Sequence, residues 1–433
     1  MARAKKEAAL TPEERLQAAL VPDWEWPYKL PENWCWLKLV ESFDNHTDSK
    51  KKIKQKDYLV KGKLAVVDQG QELIGGYTND VEKSYSGALP IVIFGDHTRC
   101  IKFVDFPFAQ GADGVKVLRP KPFYLPKAFY YALQSVNIPN LGYRRHFPLF
   151  NKFSIPLPPF AEQQRIVDRI ESLFAKLDEA KEKAQVVVDS FETRKAAILH
   201  KAFTGELTAK WRKEHGVGME SWEVRTLDSV CSSIFDGDHM PPPKAESGIP
   251  FLVISNVNTG HLTFENTRFV PQEYYDTLSD TRKPQLGDVL YTLVGSFGIP
   301  VVVNSKRPFC FQRHMALLRP IDVSPQFLWY ILQTPEMYDK VSSIATGTAQ
   351  LTVPIKGLRA MTIPRPNIAE QVEIVRILDG FFAREQSAKE AAEAVIDQID
   401  LMKKSILARA FRGELGTNDP SEESAVELLK QII

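Results

Sequence analysis

Polar side chains able to pair with phosphate or with base edges gather in short clusters between apolar runs. The densest is Lys50, Lys51, Lys52, Lys54 and Lys56, with Lys61 and Lys63 just beyond. Ammonium groups at that density can neutralise phosphates and give a salt-dependent affinity, where the alternative is a solvated loop. In Tyr143-Arg-Arg-His146, Arg144 and Arg145 can clamp phosphate or read guanine, and a capping surface turn would use them equally well. Further along, His239, Asn256, Asn258, Arg282, Lys283, Ser296, Gln312, Arg313, Thr348 and Gln350 fall in polar, glycine-bearing loops. Amide and guanidinium groups make two-point contacts with adenine and guanine edges, and glycine lets a backbone approach closely. Over half of protein–DNA hydrogen bonds go to the nucleic-acid backbone. Each of these residues taken singly is therefore a better phosphate or structural residue than a base reader.

Other chemistry is missing from the sequence. There is no Gly-x-x-x-x-Gly-Lys-Ser/Thr phosphate loop, no Asn/Asp-Pro-Pro-Tyr/Phe motif for holding a flipped base, and no glycine-rich strand-to-helix turn suited to S-adenosylmethionine. The eight histidines are scattered, and no Ser-His-Asp or Cys-His set can be nominated. Cys35, Cys100, Cys231 and Cys310 stand singly, which predicts reduced structural thiols rather than a zinc site or disulfide framework. Composition is that of a globular chain, 44% hydrophobic and 25% charged, with a net charge of +1. A nucleic-acid surface must then be a local patch. The N-terminal stretch lacks an apolar core, and no segment approaches the roughly 18 apolar residues of a membrane span, so a cytoplasmic protein with no metal and no membrane partner is expected.

The elements that must position these clusters are written twice. Ile155 to Leu207 aligns without a gap on Ile363 to Leu415; both copies open with Ile-Pro-x-Pro-x-x-Ala-Glu-Gln and close with Ala-Phe-x-Gly-Glu-Leu. Between the two motifs runs a seam at alternating spacings of four and three. Ile166, Ile170, Leu173, Leu177, Ala184 and Phe191 lie on it in the first copy, and Ile374, Leu378, Phe381, Ala392, Ile399 and Ile406 in the second. This period predicts two long helices, roughly 60 Å each, that want coiled-coil partners, with the alanines permitting close approach. Asn367 with Glu370 predicts a capping box, and Gly205 and Gly413 suit the helix stops. Before each long helix lies a module of mixed α/β pattern, opened by Trp34 to Leu39 and Trp222 to Leu227. Strands are expected at 64–67, 89–94, 250–254, 289–294 and 300–303, and a helix around 127–135. Thr11-Pro-Glu-Glu14 predicts a capped helix to about Leu20, and Asp419-Pro-Ser-Glu422 one running to Ile433.

Two divergent modules, each introduced by a Trp-bearing strand and followed by the repeated helix motifs, resemble the specificity subunit of type I restriction-modification systems from about Leu30 to Leu415. Gly248-Ile-Pro-Phe-Leu252, Gly287-Asp-Val-Leu290, Leu318-Arg-Pro320 and Gly347-Thr-Ala-Gln350 add to the likeness in the second module. The resemblance implies an α+β protein in which two similar α/β target recognition domains are separated by two long helices pairing as an antiparallel coiled coil, with pseudo-two-fold symmetry. The expected divisions are an N-terminal helix and connector (1–29), the first recognition domain (30–154), the first spacer helix (155–208), the second recognition domain (209–362), the second spacer helix (363–415) and a C-terminal helix (416–433). It further implies a non-catalytic DNA reader of a bipartite double-stranded site, working with two methyltransferase subunits and with restriction/translocase subunits. S-adenosylmethionine, ATP and Mg would reside on those partners and no cofactor on this chain. The competing reading is a coiled-coil adaptor whose modules bind proteins.

Overall fold

In the computed structural model of the chain, residues 11–237, 242–348 and 350–432 are described. In chain order the elements are α1 (Pro12–Ala19), β1 (Cys35–Lys38), β2 (Phe43–Asn45), β3 (Leu64–Val67), β4 (Gly76–Thr78), β5 (Ile91–Gly95), β6 (Ile101–Val104), β7 (Phe108–Gln110), β8 (Val115–Pro120), α2 (Pro126–Ser135) and β9 (Ser154–Leu157). There follow α3 (Phe160–Asp189), α4 (Phe191–Phe203), α5 (Ala209–His215), β10 (Glu223–Thr226), α6 (Leu227–Val230), β11 (Cys231–Asp236), β12 (Ile249–Leu252), β13 (Arg268–Val270), α7 (Gln272–Thr277), β14 (Val289–Thr292) and β15 (Pro300–Val302). The last are β16 (Cys310–Phe311), β17 (Met315–Pro320), α8 (Pro325–Ile331), α9 (Pro335–Ile344), α10 (Ile355–Ala360), β18 (Thr362–Arg365), α11 (Ile368–Ala410) and α12 (Ala425–Ile432).

The chain divides into two compact units. Unit 1 holds residues 1–184 and 394–433, and unit 2 holds residues 185–393. Each is built to one plan. In unit 1 a four-stranded sheet runs β2-β8-β5-β6 beside a three-stranded sheet β4-β3-β7, and in unit 2 the orders are β11-β17-β14-β15 and β13-β12-β16. Both small sheets contain one parallel pair, β3 with β7 and β12 with β16. Each module is closed by pairing its first strand with its last, β1 with β9 and β10 with β18, antiparallel and in register. The Ile-Pro of each repeated motif lies on that closing strand, so the duplicated sequence marks where a module ends and a helix begins.

The rest of the motif is a clasp. In unit 1, Glu162 is wholly buried and accepts hydrogen bonds from Thr417 Oγ1 at 2.6 Å and Arg165 at 2.7 Å; Arg165 also forks onto Glu422 at 2.7 and 2.8 Å. In unit 2 the equivalent Glu370 accepts from Thr208 Oγ1 and Arg212, both at 2.6 Å, and from Trp222 Nε1 at 2.9 Å. Each carboxylate thereby ties the start of one long helix to the residues just past the end of the other. The neighbouring glutamines reach the modules: Gln163 accepts from Leu125 N at 2.7 Å, and Gln371 from Ser324 N at 2.9 Å, at the starts of α2 and α8. Because Glu370 is committed to the clasp, only the Asn367 half of the expected capping box forms, with Glu370 N donating to Asn367 Oδ1 at 2.9 Å.

The helices pair antiparallel within each unit. In unit 1, Lys181 bonds Asp400 at 2.8 Å, Lys403 bonds Asp178, and Phe174, Leu407 and Phe411 join the core around Ile166 and Ile170. In unit 2, Arg194 bonds Glu385 at 2.7 Å, Lys389 sits over the Phe191 ring, and Leu199 and Ala202 share a core with Ile374 and Leu378. Ile166, Ile170, Ile374, Leu378, Ala392 and Ile399 are buried. Leu173, Leu177, Ala184, Phe191, Phe381 and Ile406 are half-buried, as expected where only two helices cover a seam. The first helix is not continuous. It breaks at Ser190, where the Arg194 guanidinium bonds the Ser190 hydroxyl and takes the Val187 carbonyl from the main-chain ladder. The final helix also starts later than expected, at Ala425, because Asp419 spends its carboxylate on the Ser421 turn and Ser424 supplies the start. Gly205 and Gly413 do carry the left-handed φ of helix stops, +85° and +73°.

Candidate nucleic-acid interface

Strand register places the candidate residues of unit 2 on two different edges. Thr292 pairs with Met315 and Val289 with Leu318, so the turn after β14 and the turn before β17 share one end of the sheet. Leu293 N donates to His314 O at 2.8 Å across them. A third segment joins: Val353 N bonds Leu293 O at 2.9 Å, Gly295 N bonds Leu351 O at 3.1 Å, and reciprocal bonds between Thr346 and Thr352 close the loop that carries Thr348 and Gln350. A fourth arrives with the end of β11, where Gly237 passes so close that a Cβ would lie 2.2 Å from the Phe311 carbonyl oxygen. These segments enclose a cleft of about 430 Å³ lined on one hand by Asp236, Arg313, His314, Gln350 and Thr352 and on the other by apolar Leu293, Val294, Val353, Pro354 and Ile355.

Ser296, Arg313, Thr348 and Gln350 are exposed at this edge, while Gln312 is half-buried with its amide donating to His314 Nδ1. Burial, and then the positive charge of Arg313, lower the His314 imidazole below its ordinary value. The arrangement sets amide and guanidinium groups side by side around a concave surface, which suits two-point recognition of base edges. His239 lies outside the described residues.

Arg282 and Lys283 stand at the opposite end of the same sheet. Arg319, near the close of β17, bonds the carbonyls of Lys283 at 2.8 Å and Asp280 at 3.2 Å and forks onto buried Asp288 at 2.9 and 3.0 Å; the Lys283 ammonium lies over the Tyr275 ring. Asn256 serves its own turn. It is 2% exposed, accepts from Val253 N at 3.0 Å and donates to Glu265 O at 3.0 Å. Asn258 is exposed and lines a separate cleft of about 770 Å³ with Gly298 and Trp329.

Unit 1 presents its clusters at the equivalent edge. The lysine run is pinned at buried Ile53, whose N bonds Gln110 O at 2.9 Å while Ala112 N bonds Ile53 O at 2.7 Å, setting it beside the turn between β7 and β8. Lys50, Lys54 and Lys56 are exposed, and Lys51 and Lys52 half-buried; Lys51 Nζ donates to Ser84 O at 3.1 Å. Arg144 and Arg145 are exposed in a loop laid over the turn between β5 and β6. Sequence reasoning passed over the residues that organise this edge. Gln69 Oε1 accepts from His97 N at 3.1 Å, and buried Lys102 bonds the Glu72 carbonyl and lies 3.5 Å from Asp68. Desolvation lowers the Lys102 pKa, marking it as a strut under the loop rather than a phosphate ligand. No spacing in the sequence announces such pairs.

Burial pushes the Cys35 and Cys231 thiols up to about 12, so neither is a nucleophile near neutrality. Among the described residues no acidic, histidine or cysteine group could hold a metal ion, and no helix is long and apolar enough to cross a membrane.

Comparison with known proteins agrees with this doubled architecture. The chain matches the type I restriction modification DNA specificity domain twice, over residues 31–187 and 219–397. It is 27% identical to the type I restriction enzyme EcoKI specificity subunit of Escherichia coli (strain K12) over 305 residues, covering 65% of this chain and 64% of that protein. To the MjaVIII specificity subunit of Methanocaldococcus jannaschii it is 26% identical over 285 residues, 62% of this chain and 63% of that protein. The chain thus spans somewhat under two thirds of these relatives. Its fold is similar to the HsdS subunit from Thermoanaerobacter tengcongensis, at 22% identity, 90% of this chain, all of that one and a TM-score of 0.57. It is also similar to a chain from a structure of the type I R-M system, at 21% identity, with the same coverage and a TM-score of 0.64. With two matched domains spanning well over half its length, the chain belongs to the type I restriction modification DNA specificity family.

Proposed function

We propose that this chain is the DNA-reading subunit of a type I restriction-modification complex, each unit recognising one half of a bipartite double-stranded target. The observation that carries the reading is one fold present twice with different chemistry at the same loop edge. Unit 1 offers a lysine run and paired arginines, whereas unit 2 offers Arg313, Gln350 and their neighbours around a cleft. A shared scaffold with divergent loops is how one architecture reads two sequences. The chain itself carries out no chemistry. Two methyltransferase subunits, binding S-adenosylmethionine, modify adenine, and restriction subunits with ATP and Mg cleave; the assembly works in the cytoplasm.

The test is a gel-shift titration of the chain assembled with its methyltransferase subunits, on duplex DNA across a series of salt concentrations. The reading predicts affinity that falls log-linearly with salt, and at fixed salt a preference for one bipartite duplex. Retention of unrelated proteins with no DNA affinity at low salt would favour an adaptor instead.

A further inference from the structure

One loop of unit 1 holds a large aromatic side chain almost wholly out in solvent. Tyr143 is 85% exposed. Its ring stacks on His97, with centroids 4.8 Å apart and planes at 16°, and its carbonyl accepts from His97 Nδ1 at 3.2 Å. The loop is held from beneath without help from the tyrosine. Buried His146 donates from Nδ1 to Asp96 O at 2.9 Å and accepts at Nε2 from Leu141 N at 3.1 Å, while Phe147 N bonds Asp96 Oδ1 at 2.7 Å. Gly142 takes φ +68° with its N–H on Asn140 Oδ1 at 3.0 Å, which turns the tip outward. Arg144 and Arg145 follow directly, both exposed. The corresponding segment of unit 2, 345–354, contains no aromatic residue.

We propose that Tyr143 stacks on a nucleobase of the half-site read by unit 1, entering at a base step while Arg144 and Arg145 hold the flanking phosphates. The proposal rests on the DNA-reading function above and names the residue that distinguishes unit 1's mode of recognition. An aromatic ring offers a π-face that any base can meet, and side chains wedged at base steps are an established device for gripping and deforming duplex DNA. Prior stacking on His97 fixes the ring before binding, so little conformational freedom is lost when a base arrives. The adjacent guanidiniums neutralise the phosphates that an inserted ring would draw close. A ring so exposed contributes little to the unit's own stability, and its removal therefore reports on binding rather than on folding.

The experiment uses the full chain assembled with its methyltransferase subunits, and measures affinity for its mapped target duplex and for a random duplex with Tyr143→Ala, Tyr143→Phe and Tyr143→Trp. Tyr143→Ala should weaken target binding roughly five- to hundredfold, and both aromatic replacements should restore the target affinity. Wild-type affinity in Tyr143→Ala overturns the proposal, as does a Tyr143→Phe variant that falls as far as alanine, since the hydroxyl and not the ring would then be at work. If the wild-type complex itself does not distinguish the two duplexes, the DNA-reading function fails with it. A discriminating wild type with an indifferent Tyr143→Ala removes the stacking role alone.

Discussion

Replacing Glu370 by alanine should damage unit 2 more than any surface change. The carboxylate is wholly buried and collects bonds from Thr208, Arg212 and Trp222, and the Arg212 side chain it neutralises is only 9% exposed. Truncation leaves that guanidinium buried with the Gly205 carbonyl as its main acceptor, at 2.6 Å. Removing one partner of a buried ion pair costs about 3–5 kcal/mol. For a unit of about 200 residues each kcal/mol lowers Tm by roughly 2–4 °C, so the expected loss is roughly 6–20 °C. Glu370→Gln, which keeps the acceptor oxygen but not the charge, should fall between. Glu179→Ala, removing the exposed partner of Lys183, provides the control and should leave the midpoint where it was. Scanning calorimetry of the full chain gives the answer. A Glu370→Ala loss under about 1 kcal/mol would refute the clasp as the element joining the helix ends.

The two arginines of unit 2 should separate: Arg313→Ala changes the bases accepted in one half-site at a cost of about 1–3 kcal/mol, while Arg282→Ala leaves the recognised sequence intact, as methylated-site mapping would reveal. Ala392 is 8% exposed on the helix seam, so Ala392→Leu should overpack it by about 1–3 kcal/mol in denaturant unfolding; an unchanged midpoint would mean the position opens to solvent. His314 supplies a pH test. Its folded pKa is lowered, so the stability it contributes is present above its unfolded value of about 6.5 and is lost as pH falls from there towards the folded value. Wild type should therefore lose stability relative to His314→Asn as pH drops below about 6.5, and parallel pH profiles would contradict this.

Local regularities carried the parts of the fold that were legible in the sequence. The heptad spacing of Ile166, Ile170, Ile374 and Leu378 announced helices in need of partners, and the Thr11 to Glu14 capping box formed as its spacing requires. Strand cores such as Leu64–Val67 and Val289–Thr292 were visible as apolar runs. What was not legible depends on register. Arg282 and Arg313 look alike as loop cations, and only the pairing of β14 with β17 puts them at opposite ends of a sheet. Asn256 has the composition of a base reader, yet its amide closes its own turn. The break at Ser190 arises where a side chain four residues on competes for the Val187 carbonyl, a contest that the heptad pattern does not record. Glu370 reads as the capping-box partner of Asn367, and only the buried hydroxyl of Thr208 shows where its carboxylate goes; Glu162 meets Thr417 in the same way.

Whether two like units read two halves of one DNA target is decided by mapping every methylated base in a genome modified by this chain and its methyltransferase partner, with wild type and Arg313→Ala side by side. One bipartite motif with an unread spacer is expected, in which the substitution alters bases on one side only. A single contiguous motif, or changes in both halves from that one substitution, would contradict it.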